Sequence, residues 1–194
     1  LRLEGERLRA ASHPGVVQLI RSAPSDDGWE LRTVHAGRPL DVAGPLPVAQ
    51  VAALAAGLAA TLADLHAAGI VHGRVVPSHV LVGARGRPVL CGFGRDRADG
   101  QAEAVAADDV AGVGSIMVSL LGTEGDGEPI PERRWRPRRG WTGWERRALL
   151  TLADQACAEP ATRRPTARRL AAAISEAVPS AVVANADASA LALN

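Results

Sequence analysis

The stretch from His66 to Gly94 constrains this fold more than any other part of the chain. Leading into it, Leu46, Val48, Val51, Leu54, Leu58, Leu62 and Leu65 recur every three to four residues behind Pro47, which predicts a long helix with a buried face, running to about Ala68. Gly69 then offers a left-handed stop. A loop from His72 to His79 follows, and the short apolar runs Val80 to Val82 and Pro88 to Cys91 flank an Ala84-Arg85-Gly86-Arg87 turn, the pattern of a hairpin. Gly92-Phe93-Gly94 closes that hairpin.

Upstream, Leu1, Leu8 and Ala11 among Glu4, Glu6 and Arg7 suit an amphipathic helix that Ser12-His13-Pro14-Gly15 breaks. Val16 to Ile20 reads as a strand, with Trp29 to Val34 as its partner across the turn Ser25-Asp26-Asp27-Gly28. Downstream, the small and polar residues from Gly94 to Asp108 read as a loop, and Asp108-Asp109 as the cap of an apolar helix from Val110 to Leu121. Thr142-Gly-Trp-Glu145 forms a capping box for a helix that turns Ala148, Leu149, Leu152 and Ala156 inward, and Thr166 caps a last helix to about Val178. Residues 179–194 have the composition of a linker or frayed tail.

Composition narrows the chemistry. The chain has 194 residues, enough for a substantial core, and all 22 of its basic residues are Arg. No Lys is present to anchor a phosphate or form a Schiff base. The Arg-, Ala-, Gly- and Pro-rich usage is that of GC-rich coding, as in actinobacteria. A net charge of +1 gives no long-range field for nucleic acid or a membrane surface. Cys91 and Cys157 lie far apart with no CxxC, so they read as buried thiols of a reducing cytoplasm. The apolar window Val48 to Leu65 holds Gln50, Asp64 and Gly57, and reads as a core helix instead of a membrane span.

The frame Leu-His-x-x-Gly-Ile-Val-His, with Pro-Ser five residues on and Gly-Phe-Gly closing the hairpin, resembles the catalytic loop and metal-binding hairpin of the eukaryotic-like Ser/Thr protein kinases. Helix, His-Pro and Val-Val-x-Leu are similar to the helix C of that family and its following strand, Val34 to Leu40 to its hinge, and Cys157 through Arg164-Pro165-Thr166 to its C-terminal motif. The resemblance implies an α+β, kinase-like fold: residues 1–40 as a remnant N-lobe of helix C, truncated hairpin and hinge, and residues 41–178 as the mainly helical C-lobe. A complete two-lobed kinase is longer, so the chain reads as a segment of a larger protein.

Where that family places its catalytic Asp, phosphate-neutralising Lys and metal-binding Asn, this chain has Arg74, Val76 and His79, and Gly92 stands at the Asp of Asp-Phe-Gly. Arg is no base at any relevant pH, Val carries no charge, histidine nitrogen suits magnesium poorly and glycine donates nothing. The positions with scaffold roles in the family are Glu4, His72, Phe93, Gly94, Asp109 and Arg164. Of these, Glu4 lacks a Lys partner and reads as an exposed helix residue, while Asp109 either bonds the loop backbone, as the family implies, or acts as a simple N-cap. Arg32 falls at the family's gatekeeper position, or Leu31 if the register shifts by one.

These substitutions predict an inactive pseudokinase that acts as a protein-binding or scaffold module, without ATP or magnesium as cofactor. An atypical kinase or other ATP-dependent phosphotransferase is the alternative, with Asp96 and Asp99 as its only nearby carboxylates. Residues 133–147 contain seven Arg and three Trp, and suit an acidic or phosphorylated protein partner through Arg133, Arg134, Trp135, Arg136, Arg138 and Arg139. The bland reading of the same stretch is a solvated basic loop with Trp144 in the core. No nucleic-acid or membrane contact is expected of this segment, and its expected location is the cytoplasm, free or as the cytoplasmic part of a membrane-anchored protein.

Overall fold

A computed structural model describes residues 1–42, 46–83, 86–93, 105–122 and 143–179. The chain is α+β, with five helices and two small sheets among the described residues. Helix α1 spans Arg2–Ala10 and packs on an antiparallel hairpin, β1 (Leu19–Ser25) and β2 (Gly28–Thr33). A second sheet is built from β3 (Arg38–Pro39), β4 (Val80–Val82) and β5 (Pro88–Leu90), all antiparallel neighbours.

Helix α2 (Val48–Ala67) is the centre of the molecule. Its leucines at 54, 58, 62 and 65 are buried as the spacing predicts, and so are Ala49, Ala52, Ala53, Ala55 and Ala59 on other faces. Small side chains all round let α3 (Val105–Leu121), α4 (Gly143–Ala156), α5 (Ala167–Ala177) and β5 pack against one helix. Length and composition would let α2 cross a membrane, but 67% of its most apolar window is buried inside the fold. The helix ends at Gly69, whose φ of +74° makes it the left-handed stop.

The N-terminal hairpin departs from its predicted bounds. Val16 and Val17 leave the strand, because the Val17 amide donates to the Leu90 carbonyl and the Leu90 amide donates to Gly15. The ladder with β2 begins only at Leu19 and slips at a bulge before Arg21. Val16 and Val17 are instead core residues that join the two sheets. Arg32 points outward to pair with Glu30 at 2.6 Å, and Leu31 is the residue packed against the core.

Helix α3 begins at Val105, a turn earlier than the acidic pair suggests, so Asp109 lies inside the helix and is not its N-cap. Thr166 does cap α5, accepting a hydrogen bond from the Arg169 amide at 3.3 Å. Cys91 and Cys157 are half-buried free thiols, not fully buried ones. Trp144, at the start of α4, is 49% exposed and so is not a core residue. Gly94, Asp96, Asp99, Thr142, the arginine-tryptophan run at 133–139 and the tail at 180–194 lie outside the described residues.

Candidate functional site

The loop between α2 and β4 is held from below by one buried carboxylate. Asp109 has no exposed surface, and its two oxygens accept three hydrogen bonds: from the His72 amide at 2.9 Å, the Gly73 amide at 2.7 Å and His66 Nε2 at 2.9 Å. With both oxygens engaged in this way and no exposed surface, its role is to shape the backbone. Gly112, one turn further along α3, allows the loop to lie close, since a Cβ there would meet the Val75 carbonyl.

His72 sits above this anchor with no exposed surface. Its Nε2 faces the Cys91 carbonyl at 2.8 Å, which can only accept, and its Nδ1 faces the Arg74 amide at 3.2 Å, which can only donate. The ring is therefore the neutral Nε2-protonated tautomer. Burial lowers its pKa, outweighing the favourable Cys91 carbonyl and the Asp109 charge. Phe93 packs on the same ring with centroids 4.4 Å apart and is itself fully buried. Loop, hairpin and helix are thus joined through a His72-Phe93 contact that requires no proton transfer.

The residues at the would-be chemical positions are arranged differently. Arg74 is exposed, and its carbonyl accepts a hydrogen bond from His79 Nδ1 at 3.0 Å, while Val76 is half-buried and apolar. That bond turns the His79 ring toward the hairpin, where a Cβ built on Gly92 would lie 2.7 Å from three of its ring atoms. Gly92 also has φ +77°, a conformation in which side chains are strained. Side-chain space at position 92 is occupied by imidazole. Among the described residues no group of three His, Cys, Asp or Glu side chains is placed to hold a metal ion.

Glu4 is half-buried on α1, not exposed. Burial raises the Cys91 thiol pKa, and the Glu4 charge raises it further. Arg164 has only 7% of its side chain exposed. It pairs with Asp108 at 2.8 Å and Glu159 at 2.5 Å, and donates to the carbonyls of Ala107 and Ala158, tying the segment before α5 to the start of α3. The structure therefore gathers His72, Arg74, Val76, His79, Gly92 and Phe93, with Asp109 beneath them. His66 is the site residue that sequence reasoning did not assign a role; its partner is 43 positions away, and a lone histidine in the last turn of an apolar helix gives no hint of it.

No family model matches the chain. It is 35% identical over 102 residues to serine/threonine-protein kinase 36 of Pongo abelii, and 34% identical over the same length to the Mus musculus protein of that name. Each match takes in 50% of this chain, which spans only 8% of the length of either relative. Half of the chain thus has a kinase-like relationship at the level of sequence.

Proposed function

We propose that this chain is a catalytically inactive, protein-kinase-like module that acts by binding other proteins. The observation that supports it most is the His79 ring lying where a metal-binding side chain at position 92 would have to stand. In a phosphotransferase of the kinase type, catalysis is mainly positioning and charge stabilisation, supplied by a base, metal ligands and a phosphate-binding cation. Here the base position carries the exposed Arg74, the phosphate-neutralising position carries Val76, and Asp109, the carboxylate beneath the loop among the described residues, has its oxygens engaged. No Lys is present to take the cation's place, and among the described residues no His, Cys, Asp and Glu side chains gather as metal ligands. The hydrogen bonds that hold the loop nevertheless persist, which is what a surface kept for binding requires.

Its partner is an acidic or phosphorylated protein, in keeping with basic character carried entirely by Arg. Thermal unfolding with and without magnesium-ATP tests the reading. A ligand at a hundred times its dissociation constant raises stability by about 2.7 kcal/mol, so the melting temperature is expected not to move. A magnesium-dependent rise would overturn the proposal.

A further inference from the structure

A groove of about 610 Å³ opens on the N-terminal part of the molecule, away from the loop of His72. Six consecutive residues, Val16 to Arg21, line one side of it, so it follows an extended chain for roughly 20 Å. The C-terminal end of α1 and the Ser12-His13-Pro14 turn form the other side. Leu8, Val16 and Val17 make a buried apolar floor, whereas Ile20 at the rim is 64% exposed.

The formally charged side chains that line this groove are both arginines. Its lining includes Arg9, His13 and Arg21 and no acidic residue. Arg9 is exposed, with no ion-pair partner among the described residues, and Arg21 reaches Glu30 only at 3.9 Å. Asp64 approaches His13 at 3.3 Å, but its carboxylate is 58% exposed and lies off the lining. Of the lining residues, Leu19, Ile20 and Arg21 belong to β1, which pairs with β2 alone and so has one edge without a partner strand among the described residues, whereas the Val17 amide is already bonded to the Leu90 carbonyl. An extended segment, apolar side chains toward Ile20 and acidic ones toward Arg9 and Arg21, matches length, floor and rim together.

We infer that this groove is a docking site for an extended acidic peptide segment with interspersed apolar residues. The inference rests on the protein-binding reading above and assigns it a surface. The probe is a fluorescent, end-blocked hexapeptide alternating glutamate and leucine, titrated into the full chain at low and high salt, with its lysine-leucine counterpart as control. Saturable binding of the acidic peptide, weakened by salt and by about tenfold in Arg9→Glu/Arg21→Gln, is expected. Both arginines are exposed, and circular dichroism verifies that the variant is folded. Equal binding of the lysine peptide, no binding at all, or unchanged affinity in the variant would overturn the inference. So would sedimentation with phosphatidylserine vesicles in the absence of peptide binding, which would make the surface a lipid site. Failure here with magnesium-ATP still inert removes the groove alone; a response to magnesium-ATP removes the inactive reading whatever the peptide does.

Discussion

The imidazole of His79 and the missing side chain of Gly92 occupy one space: a Cβ on residue 92 would sit 2.7 Å from Cγ, Cδ2 and Nδ1 of the ring. The ring is fixed there by its bond to the Arg74 carbonyl, so the two positions are coupled through the backbone of the loop as well as by contact.

Gly92→Ala is therefore expected to destabilise the fold by about 2 to 4 kcal/mol, from the positive φ together with the overlap with imidazole. Combining it with His79→Ala relieves the overlap and leaves the backbone strain. Denaturant unfolding of the two single variants and the double variant is expected to give a coupling of about 1 kcal/mol or more, and simple additivity would refute the shared-space account.

Asp109→Ala leaves the buried amides of His72 and Gly73 without an acceptor, and a loss of about 3 kcal/mol or more is expected. Asp109→Asn keeps one acceptor oxygen and loses roughly half as much. Amide hydrogen exchange at residues 72 and 73 reports the same event locally, and unchanged protection in the alanine variant would contradict the anchoring role.

His72 has a pKa lowered from 6.5, chiefly by burial. Above that value both folded and unfolded chains hold a neutral ring and nothing is lost. As pH falls below it, the unfolded chain binds a proton that the folded chain refuses, so stability declines by up to about 1.4 kcal/mol per pH unit. Unfolding free energies from about pH 7.5 down to about pH 5.5 are expected to fall more steeply for the native chain than for a folded His72→Gln variant. Parallel profiles would show that other groups control the acid limb.

Leu31 and Arg32 differ by one position and opposite faces. Leu31→Ala is expected to cost about 1 to 2 kcal/mol, because its side chain packs beneath α1 near Gly5. Arg32→Ala is expected to change stability by no more than about 0.5 kcal/mol, its guanidinium being exposed. The reverse order in denaturant unfolding would show that the hairpin is registered the other way.

Local rules, read from the sequence alone, were enough for α2, its Gly69 stop, the Thr166 cap and the β4-β5 hairpin, since each depends on residues within a few positions of one another. At 74, 76, 79 and 92 the sequence states the residue types, Arg, Val, His and Gly, but not how they are arranged. Tertiary structure decided what was long-range. Only packing shows that Val16 and Val17 join Leu90 instead of β2, and that Asp109 serves the loop and not its own helix end. In each case two local options are close in energy, and a buried partner distant in sequence selects between them by satisfying a hydrogen bond that solvent cannot reach.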